Sequence, residues 1–215
     1  MQLAFGMLLD PTPLFTRTPF VPVLTIENAA QAVPLARSLL AGGLSVIEVT
    51  LRTSAALAAV KSIIADLPHM IVGVGTVTRG SDIRAAEGAG ARFLVSPGTP
   101  AWLADELAAA SVPALPGCAT VSEAMALAER GFKLLKFFPA EASGGVAWLK
   151  AVAEPLPNVK FCPTGGITKA NARDSLVLPN VVAVGGSWTA PRDLIVAGGF
   201  GRISALAAEA AALLR

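Results

Sequence analysis

The sequence predicts a single-domain α/β protein with the (β/α)8 architecture of a TIM barrel. Short apolar runs of β type alternate with alanine-rich helical runs along the chain of 215 residues. Successive β-type runs recur at intervals of roughly 20–26 residues, which is the length of one βα unit. Eight such units favour a closed barrel of parallel strands. A doubly wound sheet is the alternative, but the glycine-rich dinucleotide fingerprint of that fold does not follow the first strand.

Each predicted strand is a short apolar or β-branched run, and each predicted helix is an alanine-rich segment bounded by turn residues. The first helix, for example, ends at Gly42 and Gly43. The strands are predicted at Phe20–Ile26, Ser45–Thr50, Ile71–Val74, Arg92–Val95, Val112–Leu115, Leu134–Phe138, Val159–Cys162 and Val181–Val184. The helices are predicted at Ala29–Ala41, Ser54–Asp66, Ser81–Gly88, Ala101–Ala110, Val121–Arg130, Val146–Val152, Lys169–Ser175 and Ile203–Leu214.

One domain is predicted over residues 1–215, with residues 1–19 as an N-terminal segment that packs on the barrel. The apolar start, Met1–Leu9, lacks a basic leading region, so we interpret it as part of that segment and not as a signal peptide. No apolar run approaches the roughly 20 residues that span a membrane. The formal net charge is only +2 and no basic run stands out, which argues against nucleic acid as a partner.

The two cysteines and the single histidine limit the possible chemistry. Cys118 and Cys162 are far apart and form no redox or metal motif, so the chain fits the reducing cytoplasm. His69 precedes the third strand, at the opposite mouth of the barrel. Without several histidine or carboxylate ligands, metal catalysis is not expected. Serine hydrolase chemistry also lacks a histidine near a candidate serine.

A lysine interrupts the sixth predicted strand. Strand residues alternate between two faces, so Leu134, Lys136 and Phe138 share one face, and Leu135 and Phe137 share the other. Burial disfavours the ammonium form, and a neutral amine in an apolar pocket is a nucleophile toward carbonyl carbon. The alternative is that Lys136 reaches from the strand end to water.

Glu48 and Arg52 stand at the end of the second strand, where a barrel places its catalytic groups. They share one face if the strand continues to Arg52. The carboxylate could then move protons, and the guanidinium could hold a substrate carboxylate. A salt bridge between the two that helps to close the barrel is the structural alternative.

The remaining strand ends carry glycine, proline and hydroxyl residues. Thr76 follows a glycine turn after the third strand, and Pro97 would present an apolar wall after the fourth. Glycine pairs follow the seventh and eighth strands, at Gly165–Gly166 and Gly185–Gly186, where barrels often bind phosphate through backbone N–H groups. No lysine or arginine lies inside either turn, so the contact would be mostly neutral. Tight turns without a ligand are the alternative.

These strand ends resemble the blocks of a known family, the 2-keto-3-deoxy-6-phosphogluconate (KDPG) and 4-hydroxy-2-oxoglutarate (KHG) aldolases. The similarity runs in the same order from about Phe20 to the C-terminus. The six blocks are Glu48–Thr53, Val72–Val77, Ser96–Gly98, Lys136–Glu141, Phe161–Ile167 and Gly185–Trp188. The apolar N-terminal segment departs from the family, as does Ala119, where a serine often stands.

The resemblance implies a class I aldolase that cleaves 2-dehydro-3-deoxy-6-phosphogluconate to pyruvate and glyceraldehyde 3-phosphate. It also implies activity on 4-hydroxy-2-oxoglutarate, no cofactor, no metal, and a homotrimer that acts on a small 2-oxo acid phosphate. Lys136 would form the Schiff base and Glu48 would shuttle protons. The implied substrate contacts are Arg52 and Thr76 for the pyruvyl carboxylate, Pro97 and Phe138 for the pocket wall, and Thr164, Gly165, Gly166 and Ser187 around the phosphate.

Three rival functions stay open on the sequence alone. A sibling aldolase for the galactonate epimer would use the same lysine, and the configuration at C4 is not readable from one chain. A phosphate-binding barrel isomerase would share the glycine turns and would need no imine on Lys136. A binding or assembly barrel without catalysis would have no use for Lys136, Glu48 and Arg52 together.

Overall fold

A computed structural model gives the fold of residues 8–15 and 18–213. These ranges contain nine strands and nine α-helices, which alternate along most of the chain. The strands are β1 Phe20–Leu24, β2 Val46–Thr50, β3 Ile71–Gly75, β4 Phe93–Val95, β5 Ala114–Leu115, β6 Gly117–Cys118, β7 Leu134–Phe137, β8 Lys160–Pro163 and β9 Val184–Gly186. The helices are α1 Ala32–Ala41, α2 Ala56–Asp66, α3 Gly80–Gly88, α4 Ala101–Ala108, α5 Val121–Glu129, α6 Gly145–Ala153, α7 Ala172–Leu176, α8 Arg192–Val196 and α9 Phe200–Leu213. None of these helices is both long and apolar enough to cross a membrane.

Every described strand pairing is parallel, as predicted. One sheet has the order β5-β4-β3-β2-β1-β9, and a second has the order β6-β7-β8. The predicted fifth strand, Val112–Leu115, is present only as β5 at its end, and β6 follows Pro116 where a turn was predicted. Pro116 separates the two strands, because proline cannot donate to a ladder. Its carbonyl still accepts a hydrogen bond from the amide of Lys136 at 3.0 Å. The result is a mixed α/β fold around a curled parallel sheet.

The strands bury both faces, and the two faces belong to two hydrophobic clusters. The smaller cluster contains Phe15, Phe93 and Leu134, and the larger one lies between the strands and the helices and contains Leu135 and Phe137. The predicted alternation along the sixth strand is therefore confirmed for these residues. Phe138 differs, because β7 ends at Phe137 and Phe138 lies in the following turn.

The last predicted strand was placed too early. The structure has β9 at Val184–Gly186, so Gly185 and Gly186 lie in a strand and pair with Val21 and Pro22 of β1. A Cβ atom on Gly185 would lie 2.4 Å from Thr164 Oγ1, which explains the glycine. Glycine is depleted in most strands, and this misled the sequence interpretation. The short helix α8 was not predicted.

The N-terminal segment falls only partly within the described residues. Phe15 is fully buried, and its ring meets that of Phe93 edge to face, with centroids 5.3 Å apart. Residues 1–7 and 16–17 lie outside the described ranges. The single domain over residues 1–215, with residues 1–19 packing on the barrel, therefore stays a prediction.

Phe15→Ala tests how much this contact stabilises the fold. Removing a fully buried phenyl ring should lower the free energy of unfolding by about 3–5 kcal/mol. Urea unfolding at a fixed protein concentration measures the loss. Leu9→Ala is the matched control, because the Leu9 side chain is 51% exposed. Equal stability of the two variants would contradict a core role for Phe15.

Candidate active site

A buried ion pair joins two strands that are distant in sequence. Lys136 on β7 places its Nζ atom 3.2 Å from Oε1 and 3.4 Å from Oε2 of Glu48 on β2. Each residue is only 4% exposed. Lys136 therefore does not reach from the strand end to water. Its partner comes from another strand, which the apolar neighbours on its own strand could not reveal.

The carboxylate of Glu48 fits because the neighbouring strand carries glycine. Glu48 pairs in register with Gly73, and Gly75 lies two residues further along β3. A Cβ atom on Gly75 would lie 2.0 Å from Glu48 Oε1 and 2.6 Å from its carboxyl carbon. Glycine at this position thus makes the room in which the Glu48 carboxylate reaches Lys136.

An open cavity of about 540 Å³ contains most of the predicted substrate contacts. The predicted residues in its lining are Arg52, Phe138, Thr164, Gly165, Gly166 and Ser187. The Nζ atom of Lys136 lies 5.4 Å from the centroid of the Phe138 ring, which connects the ion pair to this cavity. The structure therefore gathers residues from several loops around one space.

Two predicted contacts, Thr76 and Pro97, are not among the residues that line this cavity. Thr76 follows β3 directly and has a φ of 62°, a left-handed conformation that is uncommon for threonine. Pro97 follows β4 and is half-buried. Both residues follow strands that are neighbours in the sheet, and their roles stay predictions.

Arg52 is exposed at the rim of the cavity and not on β2, which ends at Thr50. Glu48 is paired with Lys136, so the alternative of a Glu48–Arg52 salt bridge is wrong. Within residues 8–15 and 18–213, Arg52 makes no ion pair. Its guanidinium is free to bind an anion in the cavity.

Sequence reasoning missed part of the cavity wall. Glu27 follows β1, Arg192 begins α8, and the two side chains form an ion pair at the rim. Arg192 stands only five residues beyond Ser187 in the sequence, but the prediction considered only the residues inside the glycine turns. The short α8 was also not foreseen, so nothing indicated that Arg192 returns to the cavity.

Backbone conformation and close packing also explain the glycine pair after β8. Gly165 and Gly166 have φ values of 97° and 79°, in the left-handed region that favours glycine. A Cβ atom on Gly166 would lie 2.6 Å from Cβ of Glu141, whereas one on Gly165 would meet the Phe138 ring at 3.2 Å. A larger residue at position 166 would therefore disturb Glu141 before it reached the cavity.

Neither cysteine is suited to nucleophilic chemistry. Burial raises the pKa of the Cys118 thiol to about 12, and the Glu123 carboxylate adds to this effect. Burial also raises the pKa of Cys162 to about 12, although the nearby Lys136 ammonium opposes the rise. The described residues contain no group of three or more His, Cys, Asp or Glu side chains that could hold a metal ion.

Fold and site together define a class of protein. In parallel α/β barrels and related sheets, catalytic groups stand at the carboxyl ends of strands, beneath the loops that form the binding cavity. A buried lysine beside a carboxylate suits nucleophilic attack on a carbonyl group, with the carboxylate to move protons. The class is an α/β enzyme that acts on carbonyl compounds.

Comparison with known proteins identifies the family. The profile described as "Aldolase: KDPG and KHG aldolase" matches residues 13–206. A 2-dehydro-3-deoxy-phosphogluconate aldolase of Pseudoalteromonas atlantica is 47% identical over 199 residues, which cover 93% of each protein. The KHG/KDPG aldolase of Escherichia coli K12 is 46% identical over 197 residues, which cover 92% of each.

Solved structures agree with these sequence comparisons. A KDPG aldolase of Legionella pneumophila, crystallised with pyruvate as a covalent carbinolamine intermediate, gives a TM-score of 0.90 at 42% identity, over 93% of this chain and 97% of that one. A Zymomonas mobilis KDPG aldolase with 3-phosphoglycerate gives 0.88 at 42% identity, over 96% and 97%. The chain belongs to the KDPG and KHG aldolase family, as its six sequence blocks indicated.

Gly75→Ala tests whether the position of the Glu48 carboxylate matters. The new methyl group would overlap Glu48 Oε1 and displace the carboxylate from Lys136. Cleavage of 2-dehydro-3-deoxy-phosphogluconate should lose about 10²-fold or more in kcat/KM, because small misplacements of reacting groups are costly.

Gly88→Ala is the matched control, because a Cβ atom there has no neighbour within 4 Å. This variant should keep the wild-type kcat/KM. A folded Gly75→Ala variant with full activity would show that the site does not need the carboxylate where the structure has it.

Proposed function

We propose that this protein is a Schiff-base aldolase that cleaves 2-dehydro-3-deoxy-6-phosphogluconate to pyruvate and glyceraldehyde 3-phosphate. It also cleaves 4-hydroxy-2-oxoglutarate to pyruvate and glyoxylate. Lys136 is the nucleophile and Glu48 the proton shuttle. The observation that carries the proposal is the buried Lys136–Glu48 contact of 3.2 Å in a chain of this family. The carbinolamine in the Legionella relative supports the covalent step.

The reaction begins at the substrate ketone. Glu48 accepts a proton from the Lys136 ammonium, and the resulting amine adds to the C2 carbonyl carbon to give a carbinolamine. Glu48 returns the proton to the leaving hydroxyl, so that water departs and an iminium ion remains. The C3–C4 bond then breaks and its electron pair moves to the iminium, while Glu48 accepts the proton of the C4 hydroxyl, directly or through water. The aldehyde leaves, the enamine is protonated at C3, and water releases pyruvate and restores the amine. The iminium is the electron sink, so the scheme uses no cofactor or metal.

The cavity divides into two ends in this proposal. Arg52 and Thr76 hold the pyruvyl carboxylate, and Pro97 and Phe138 form the wall of the pocket. At the other end Gly165, Gly166 and Ser187 take the phosphate, with Thr164 beside them. Arg52, Phe138, Thr164, Gly165, Gly166 and Ser187 line one cavity, which supports a single binding space for the whole substrate.

The rival functions make different use of the same residues. An aldolase for the galactonate epimer would form the same imine on Lys136, and only the rates on the two C4 epimers distinguish it. An isomerase would bind phosphate at the late turns and would form no imine with pyruvate. Lys136 is buried beside a carboxylate that can take up its proton, which favours imine chemistry over both isomerisation and simple binding.

The wider architecture follows the same proposal. The chain forms one closed (β/α)8 barrel that assembles as a homotrimer in the cytoplasm. Closure is supported by pairings on both sides of Pro116, and by bridges from Phe161 to Val181 and from Thr164 to Gly185. The first bridge connects β8 with the segment that leads into β9, and the second connects the residue after β8 with β9 itself. In turn, β9 pairs with β1.

Trapping with pyruvate and borohydride tests the identity of the nucleophile. Intact mass should increase by one reduced pyruvyl group, and peptide mapping should find that group on Lys136. Lys133→Met should still trap pyruvate, whereas Lys136→Met should not. Adduct on Lys133 or Lys150 in the wild-type protein would overturn the assignment.

The Lys136→Met variant needs a control for folding. Lys136→Met alone leaves Glu48 buried without its partner, which is expected to destabilise the fold by about 3–5 kcal/mol. The double variant Lys136→Met with Glu48→Gln removes both charges, so it should recover part of this loss. Circular dichroism of both variants separates loss of chemistry from loss of folding.

Glu48→Gln tests the proton shuttle. Glutamine retains the shape of the side chain and can still accept a hydrogen bond from Lys136, so imine formation with pyruvate should persist. Exchange of the pyruvate methyl protons in deuterium oxide, followed by NMR, should fall by about 10²-fold or more. Glu154→Gln, at an exposed carboxylate, is the control. Unchanged exchange in Glu48→Gln would refute the role.

A further inference from the structure

Three charged side chains line the cavity, and they come from different parts of the chain. Arg52 follows β2, Glu27 follows β1, and Arg192 lies on α8. In the proposed function Arg52 binds the substrate carboxylate. Glu27 and Arg192 have no part in that scheme, although their ion pair stands on the same cavity wall as Ser187.

Residues 164–167 and 185–188, at the proposed phosphate end of the cavity, contain no lysine or arginine. Gly165, Gly166 and Ser187 can offer only neutral N–H and hydroxyl donors. A phosphate monoester carries a charge of about −1.5 to −2 at neutral pH, and hydrogen bonds from charged donors are about twice as strong as neutral ones. Arg192 is the charged donor that lines the cavity together with Ser187.

We propose that Arg192 is a specificity residue that binds the substrate phosphate, and that Glu27 positions its guanidinium. This inference rests on the proposed aldolase function. Arg192 distinguishes phosphorylated from unphosphorylated 2-oxo acids of the same length, and it leaves the chemistry at Lys136 unchanged.

The ion pair with Glu27 leaves several N–H donors of Arg192 available for a second anion. The contact joins Nη2 of Arg192 to Oε1 of Glu27. A guanidinium carries five N–H donors in a planar fork, so the others remain for phosphate oxygens. The side chains are 71% and 40% exposed, and exposed ion pairs are weak. Glu27 therefore orients Arg192 without preventing it from binding an incoming anion.

The backbone that carries Arg192 is also fixed against the loop of Glu27. Nε2 of Gln31 donates hydrogen bonds to the carbonyl of Ile195 at 2.8 Å and to that of Val196 at 3.2 Å. Ile195 is buried and lines the same cavity. The loop after β1 thus holds α8 at both of its ends, which keeps the guanidinium at the cavity rim.

Steady-state kinetics of Arg192→Met on two substrates test the proposal. The pair is 2-dehydro-3-deoxy-6-phosphogluconate and 2-dehydro-3-deoxygluconate, which has the same carbon chain without the phosphate. KM for the phosphorylated substrate should rise by about tenfold with kcat little changed, and kcat/KM for the other should stay within about twofold. Arg202→Met, on the surface of α9, should match the wild type on both.

Glu27→Gln separates charge from position. The amide oxygen of glutamine can still hold the guanidinium, but the competing negative charge is gone. KM for the phosphorylated substrate should therefore fall by about two- to fivefold, and Arg192→Met in the same chain should abolish that gain. Arg192→Lys should lie between the wild type and Arg192→Met, because it keeps the charge and loses the fork.

Borohydride trapping of pyruvate on the same samples separates the two hypotheses. A wild-type protein that forms no adduct on Lys136 overturns the proposed function and this inference with it. With the adduct present, an unchanged KM for the phosphorylated substrate in Arg192→Met overturns the inference alone. Equal losses of kcat/KM on both substrates overturn it as well, because Arg192 would then only support the cavity wall.

Discussion

The contact between Lys136 and Glu48 is the constraint around which the site is built. They are the only charged side chains that are buried in residues 8–15 and 18–213. Burial removes both groups from water, and such a pair is tolerated only when its geometry is good. Leaving either charge alone inside the sheet would be costly, so the folded state must keep the two side chains together. The same contact keeps an amine and a carboxylate together beneath the cavity.

Glycines provide the space that this arrangement requires. Gly75 leaves room for the Glu48 carboxylate, and Gly185 leaves room for the Thr164 side chain. Gly166 adopts a left-handed conformation and faces Glu141. These positions lie on strands or directly after them, so the shape of the interior depends on absent side chains as much as on present ones. The glycines are thus packing requirements first, whatever ligand the late turns bind.

The cavity lining carries two guanidinium groups, which suits a substrate with two anionic groups. Arg52 stands at the rim without an ion pair among the described residues, whereas Arg192 is held by Glu27. An unpaired guanidinium and a restrained one differ in how readily they accept an anion. In the proposed function Arg52 receives the carboxylate next to the reacting ketone, and in the further inference Arg192 receives the distant phosphate.

The sequence by itself determined the parallel α/β fold, the order of its units and the family. It also determined which neighbours of Lys136 lie on each face of the strand. These features follow from local periodicity and from ordered blocks. Tertiary structure alone decided the partner of Lys136, the exposure of Arg52, and the return of Arg192 to the cavity. Each of these depends on contacts between segments far apart in the chain. Local sequence patterns do not reveal which distant segments will be neighbours, because the sheet brings those segments together only on folding.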